Sequence, residues 1–146
     1  MGRRTDSGRV EEAIVIERSP DTVWAFVSDP LNDPRWCPKV KSVESVGDRR
    51  WRVVHRPVPL RPPMELTLEH LELRPPVSLT LREEDAASIF DVEYRLEPSG
   101  DDTRFTQIST FAWKRLPRFL HGTFARGVAR DLRAQMQALK RVLESE

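Results

Sequence analysis

Apolar and polar residues alternate along most of the chain between Pro38 and Trp113, in short runs separated by turn-forming residues. Alternation of this kind is typical of β-strands that have one covered face and one solvated face. The clearest run places Phe90, Val92 and Tyr94 on one face, with charged residues between them. Glycine, proline and aspartate between the runs predict short turns. The pattern therefore predicts six consecutive antiparallel strands connected as a meander.

The segment before the meander predicts one strand and two short helices. A stretch with apolar residues on both faces indicates a strand over roughly residues 9–18. Ser19 and Asp29 are each followed by proline and indicate two helix starts, because their side chains accept hydrogen bonds from the free N–H groups of a first turn and proline suits the first helical position. These starts predict helices over about 20–28 and 30–36.

A long amphipathic helix is predicted at the C-terminal end, from about Pro117 to Glu144. Apolar residues recur there at helical spacing and form one stripe, with arginine, lysine and glutamine outside it. The stripe consists of Phe124, Val128, Leu132, Met136, Leu139 and Leu143. At about 1.5 Å per residue, such a helix reaches about 40 Å and can run along a whole sheet.

Length and charge limit the classes of protein that the chain can represent. Its 146 residues match the usual size of one domain, and we interpret residues 9–146 as a single domain behind a flexible tail of residues 1–8. Lys and Arg total 24 against 23 Asp and Glu, which gives a net charge of +1. This balance does not favour binding to a polyanion, so we expect no nucleic-acid partner.

The sequence has one cysteine and no long apolar run. Cys37 cannot form an intramolecular disulfide and lies in no CxxC pair, which fits a reducing, cytoplasmic compartment. The longest apolar run in the first half, at residues 13–16, is far shorter than the ~20 residues that span a bilayer. We therefore expect no insertion into a membrane.

The order of the predicted elements and several local motifs resemble those of one known superfamily. The motifs are Ser19-Pro20-Asp21-Thr22-Val23-Trp24, Ser28-Asp29-Pro30 leading to Trp36-Cys37-Pro38, Leu96-Glu97-Pro98 with Asp102-Thr103-Arg104-Phe105, and the final Leu139-Lys140-Arg141-Val142-Leu143-Glu144. On these grounds the chain resembles the START-like (SRPBCC) superfamily over about residues 9–144. Within it, the chain is similar to the polyketide cyclase/dehydrase and lipid-transport group.

The resemblance implies an α+β helix-grip fold. In this fold a seven-stranded, curved antiparallel sheet wraps around the long C-terminal helix, and two short helices follow the first strand. The resemblance also implies an elongated cavity between sheet and helix that takes a small hydrophobic or amphipathic molecule. The predicted elements give a separate reason to expect a cavity, because one helix cannot cover the concave face of seven strands.

The alternation predicts which side chains line this cavity. They share the inward strand phase or the helix stripe, and several are polar, as a pocket that orients its ligand requires. The predicted lining residues are Val53, His55, Met64, Leu66, Leu68, His70, Phe90, Val92, Tyr94, Gln107, Ser109, His121 and Phe124. Each histidine has an alternative structural role, either hydrogen-bonded in the core or at a strand end in water.

Catalysis and metal binding find little support in the sequence. His121, Tyr94 and His70 are the candidate catalytic residues, because their side chains can act as general acids or bases. The chain has no nucleophile motif, glycine-rich phosphate loop or paired-carboxylate signature, so whether it is an enzyme stays open. The spacing of His55, His70 and His121 does not support a metal site, and we expect neither a metal nor another cofactor.

Three functions remain as hypotheses. The first is a binding or carrier domain for a small hydrophobic, lipid-like or polyketide-like molecule. The second is an aromatase-type polyketide cyclase or dehydrase. The third is a protein-interaction module, which a filled interior would favour. The ligand and the oligomeric state are left open by the sequence.

Overall fold

A computed structural model describes residues 8–56 and 62–146, and its strands form one antiparallel sheet. The strands are β1 (Gly8–Ile16), β2 (Val40–Gly47), β3 (Arg50–His55), β4 (Met64–Arg74), β5 (Ser78–Glu84), β6 (Ser88–Ser99) and β7 (Asp102–Trp113). Within this part of the chain they pair in the order β1-β7-β6-β5-β4-β3-β2. The predicted six-stranded meander is confirmed, and the first strand is added beside the last.

The N-terminal boundary of the sheet differs slightly from the prediction. Residues 1–7 of the expected tail, and residues 57–61 of the turn expected between Pro57 and Pro63, lie outside the described residues. Gly8 was expected in the tail but pairs with Phe111 in β1. A Cβ atom at Gly8 would come within 2.8 Å of the Phe111 ring, so a glycine lets the strand begin against this ring.

The described residues also form the helices α1 (Pro20–Val27), α2 (Asp33–Trp36) and α3 (Arg118–Glu144). Both predicted caps are present. The Ser19 hydroxyl accepts from the Thr22 N–H at 3.3 Å, and a carboxylate oxygen of Asp29 accepts from the Leu31 N–H at 3.0 Å. These bonds satisfy donors that the first helical turn leaves free.

The second predicted helix, over 30–36, is not continuous. A 3-10 turn over Pro30–Asn32 is followed by the single α-turn of α2. Pro34 has no N–H and cannot donate to the Pro30 carbonyl, a bond that a continuous α-helix needs. The N–H of Asp33 donates to that carbonyl instead.

The short helix α2 is fixed by an aromatic anchor. Trp36 is fully buried and meets Tyr94 and Phe105 edge-on, at ring-centroid distances of 6.0 and 6.2 Å. Aromatic edge-to-face pairs of this kind add to the stabilisation that burial provides. The anchor holds α2 against the inner face of the sheet and thereby positions Asp33 and the buried, unbridged Cys37.

Helix α3 buries only the C-terminal part of its apolar stripe. Leu132, Met136, Leu139 and Leu143 are buried, and the helix packs mainly on β1 and α2. The prediction was wrong for Phe124, which is 47% exposed because its turn of the helix lies beyond this packing. No helix in the described ranges is both long and apolar enough to cross a membrane.

A bulge in β4 shifts the alternation by one residue. The pairing with β5 passes from His70 to Glu72 and leaves Leu71 without a partner. His70 therefore faces inward and is buried, Leu71 is exposed, and Leu73 returns to a partly buried position. A bulge of this type bends the strand and interrupts the two-residue period.

Replacing a stripe residue of α3 tests the orientation of that helix. Leu132→Ala should lower the free energy of unfolding by about 2–5 kcal/mol, because Leu132 is only 3% exposed and its truncation leaves a cavity. Urea unfolding followed by circular dichroism measures this change. Gln137→Ala, on the exposed face of the same helix, is the control and should change stability by less than about 0.5 kcal/mol. Equal losses in the two variants would contradict the orientation.

Candidate functional site

Two adjoining cavities lie between the sheet and α3. Their volumes are about 170 and 130 Å³. The larger one is lined mainly by the sheet and α2, and the smaller one by β6, β7 and α3. The side chains that line both are Lys39, Glu83, Phe90, Gln107 and Gln135. The cavities therefore form one candidate site with a shared wall.

Most of the predicted lining residues border these cavities, since they share the inward phase of their strands. Those that line one or both are His55, Leu66, Leu68, Phe90, Val92, Tyr94, Gln107 and Ser109. Val53 instead lies in the filled core, and Met64 lies half-buried opposite His55 in the β3–β4 pair.

Two of the three catalytic candidates lie away from the cavities. His70 faces inward, but its ring packs on Trp51 with centroids 4.5 Å apart. Burial and the positive charge of Arg49 lower the pKa of His70 to about 4, so this imidazole is neutral near pH 7. The His121 ring lies 2.9 Å from the Leu116 carbonyl oxygen, at the start of α3. The sequence could not show the His70 contact, because it joins two strands, whereas the His121 contact is a local one to the segment just before α3.

Phe124 was also predicted at the cavity and is displaced from it. Its ring contacts Trp113 edge-on, with centroids 5.7 Å apart. This contact is at the far end of β7, beyond the buried part of the α3 stripe.

Glu83 is a site residue that the sequence prediction missed. It continues the inward row of Leu79 and Leu81 on β5 and pairs with Phe90 on β6. Burial, and then the negative charge of Asp85, raise the pKa of Glu83 to about 7. Extending the alternation of β5 by one further step would have found it.

Asp33 brings a second carboxyl group to the larger cavity from α2. Burial, and then the charge of Glu83, raise the pKa of Asp33 well above its usual range. Burial and the charge of Asp33 likewise raise the pKa values of Tyr94 and Cys37. These four side chains therefore share one desolvated region of the cavity wall.

Asp85 has a different environment, because backbone groups satisfy it. One carboxylate oxygen accepts from the N–H groups of Ala87 and Ser88, each at 2.7 Å, and so shapes the turn between β5 and β6. The other oxygen lies 4.0 Å from Nε2 of His55. Burial and then Lys39 lower the pKa of His55 although Asp85 acts in the opposite direction, so His55 is neutral near pH 7.

Lys39 and Gln107 complete the polar part of the wall. Lys39 forms an ion pair with Asp131 of α3, which ties the segment after α2 to the long helix. Gln107 is 7% exposed, and its amide nitrogen lies 3.5 Å from the Ser109 hydroxyl. Its buried carbonyl oxygen Oε1 has no hydrogen-bond partner. A buried acceptor of this kind is unfavourable unless something else supplies a donor.

The fold and this cavity agree with the result of comparison with known families. The family model described as polyketide cyclase/dehydrase and lipid transport matches residues 7–144. The chain belongs to this family. No protein among those with curated descriptions is similar enough to match.

Solved structures show the same fold as this polyketide cyclase/dehydrase and lipid-transport family member. The Thermus thermophilus protein TTHA0849 has a TM-score of 0.80 at 16% identity, over 94% of this chain and 98% of that one. The Zhui aromatase/cyclase from a Streptomyces species has a TM-score of 0.77 at 16% identity, over 94% of this chain and 93% of that one. A START superfamily protein from Mycobacterium smegmatis has a TM-score of 0.77 at 15% identity, over 94% of this chain and 97% of that one. At these identities the likeness establishes the fold.

The chemistry available to this family member comes from carboxyl, amide and phenol groups that line the cavity. Among the described residues, no group of three or more His, Cys, Asp or Glu side chains is arranged to hold a metal ion. Glu83 can gain or lose a proton near pH 7, and Leu66, Leu68 and Phe90 provide apolar walls around it. The arrangement can bind an apolar molecule and exchange a proton with it.

The raised pKa of Glu83 predicts a specific dependence of stability on pH. Below about pH 4.5 the carboxyl is protonated in both folded and unfolded chains, so burial carries no ionisation cost. As pH rises from about 4.5 to about 7, the unfolded chain releases the proton first and wild-type stability falls. Glu83→Gln should therefore be more stable than wild type at about pH 8 by about 2–3 kcal/mol and equal near pH 4.5.

Urea unfolding at the two pH values measures this difference. Glu84→Gln is the matched control, because Glu84 is the next residue of β5, is exposed and pairs with Lys114 at 2.8 Å. It should follow the wild-type dependence on pH. Parallel curves for wild type and Glu83→Gln would contradict the assignment.

Proposed function

We propose that the chain is a binding or carrier domain for a small, mainly apolar molecule with one polar end. The observation that carries this proposal is the cavity of about 170 Å³, which has apolar walls and several buried polar groups. Leu66, Leu68 and Phe90 are suited to contact the apolar part. Glu83 and Gln107 are suited to contact the polar end. A pocket of this composition fixes the orientation of its ligand through a few polar contacts.

The size of the cavity limits the ligand. An apolar cavity of about 150 Å³ in another protein holds benzene. The larger cavity here is therefore matched to a ligand with one ring and a short side chain. The adjoining space of about 130 Å³, between β7 and α3, would accept an extension toward Val128. Such dimensions favour a compact molecule over a long acyl chain.

Two of the three hypotheses gain support from this geometry. A filled interior would have favoured the protein-interaction module, but the interior contains two cavities and so does not favour this hypothesis. The aromatase-type cyclase or dehydrase remains the second candidate, because Glu83 titrates near neutral pH inside the cavity and Tyr94 lies in the same desolvated region.

The unbridged thiol of Cys37 suits a reducing, cytoplasmic compartment.

Filling the cavity tests the binding proposal. Val92→Trp should weaken binding of a one-ring probe with a longer side chain, such as 4-phenylbutan-1-ol, because Val92 lines the smaller cavity that the extension of the ligand needs. Isothermal titration calorimetry measures the binding, and circular dichroism confirms that the variant folds. Thr80→Trp, on the opposite face of the same sheet, is the control and should leave binding unchanged. Equal binding by Val92→Trp and wild type would contradict the proposed location.

Turnover of a poly-β-ketone thioester mimic tests the cyclase alternative. If Glu83 transfers a proton during ring closure, Glu83→Gln should reduce the rate by about 10²–10⁴-fold while the mimic still binds. His121→Ala should leave the rate within about twofold, because His121 contacts the Leu116 carbonyl rather than the cavity. Binding without any turnover by wild type would reject the cyclase and retain the carrier.

A further inference from the structure

The lining of the larger cavity carries more negative groups than positive ones. Asp33, Glu83, Glu84 and Asp85 all line it, and Glu84 is paired with Lys114. Lys39, which also lines this cavity, already forms an ion pair with Asp131. Across residues 8–56 and 62–146, no cationic side chain forms an ion pair with Asp33 or Glu83. The buried Asp33 and the half-buried Glu83 therefore have no positive partner within the described protein.

Gln107 gives an independent indication of what this region accepts. Its side chain is more than nine-tenths buried and lines both cavities together with Glu83. Its Oε1 atom has no hydrogen-bond partner, and an amide oxygen can only accept. A ligand that satisfies Gln107 must therefore bring a hydrogen-bond donor to this position.

Aromatic rings lie beside the same groups. Phe90 and Tyr94 line the larger cavity, and Phe90 is the strand partner of Glu83. The faces of aromatic rings attract cations, most strongly where water is excluded. The carboxyl groups, the amide oxygen and the rings thus all favour a positively charged donor.

We infer that the polar end of the ligand is a protonated amine that donates to the Glu83 carboxylate and to Oε1 of Gln107. This inference rests on the proposed ligand-binding function and specifies the chemical class of its ligand. A neutral hydroxyl could satisfy Gln107, but it would leave the carboxyl groups without an opposite charge. A carboxylate ligand would add another negative charge to the cavity.

Proton release follows from this arrangement. Without ligand, Glu83 is about half protonated at pH 7. A bound ammonium group favours the ionised carboxylate, so binding at this pH should release about half a proton. The other groups around Glu83 are Asp33, Cys37 and Tyr94, whose pKa values its charge affects, and Asp85, which raises that of Glu83. The other titratable groups that line the two cavities are His55, Lys39, Glu84 and Asp131.

Three probes of matched size test the inference on the full chain. They are 2-phenylethylamine, 2-phenylethanol and phenylacetate, which differ in the charge of the polar end. Calorimetry at about pH 8 should show the amine binding about tenfold more tightly than the alcohol, which is the size of a charge-assisted hydrogen bond. Phenylacetate should bind least. At about pH 5.5 the amine is still protonated, but the Glu83 carboxyl is mostly protonated and neutral. The preference for the amine over the alcohol should therefore shrink.

Variants connect the preference to the proposed residue. Glu83→Gln should lose the tenfold preference for the amine and keep its affinity for 2-phenylethanol within about twofold. Glu72→Gln, which removes an exposed β4 carboxylate that pairs with Arg74 and lies outside both cavities, should behave as wild type. Titrations in two buffers of different ionisation enthalpy should give the proton release in wild type and none in Glu83→Gln.

The possible failures are distinguishable. Equal binding of the amine and the alcohol, or tightest binding of phenylacetate, would overturn the amine inference and leave the ligand-binding function in place. An unchanged amine preference in Glu83→Gln would also overturn it. Failure of all three probes to bind wild type would contradict both the inference and the proposed function.

Discussion

One long helix cannot cover the inner face of a seven-stranded sheet, and the candidate site exists because of this mismatch. Helix α3 packs mainly on β1 and α2. The short α2 covers part of the remaining sheet with Trp36. The inner faces of β4 to β6 are left bordering open space between α2 and α3. Protein interiors are normally packed without such voids, so a cavity at this place is a feature of the architecture.

The same architecture determines which polar groups lose their water. Asp33 is fixed by the anchored α2, and Glu83 by its phase on β5. Since the surrounding walls include Leu68 and Phe90, the protein favours the protonated forms, as the raised pKa values of both groups indicate. The charge of the cavity therefore depends on what occupies it.

The sequence predicts the elements well because their signals are local. Alternation locates the meander, and helical spacing locates α3. Alternation also assigns the inner faces of β3 to β7, apart from the bulge at Leu71, whereas the first strand is apolar on both faces and its phase stays open. Alternation cannot tell which inward positions border open space. His70 and Val53 have the correct phase, but tertiary neighbours fill the space in front of them. Asp33 lies on a single turn interrupted by Pro34, where no periodicity exists to indicate its direction.

Two neighbouring glutamates on β5 show why the interior carboxyl points to a ligand. Glu84 also borders the larger cavity, but it is exposed and has Lys114 as its partner, which is the ordinary arrangement of a surface charge. Glu83 faces the cavity and has no cationic partner among the described residues. Leucine at this position would continue the apolar row of Leu79 and Leu81 without the cost of burying an acid. A glutamate at this position lowers the stability of the folded protein at neutral pH. Contact with a ligand is the role for this glutamate that the cavity supports.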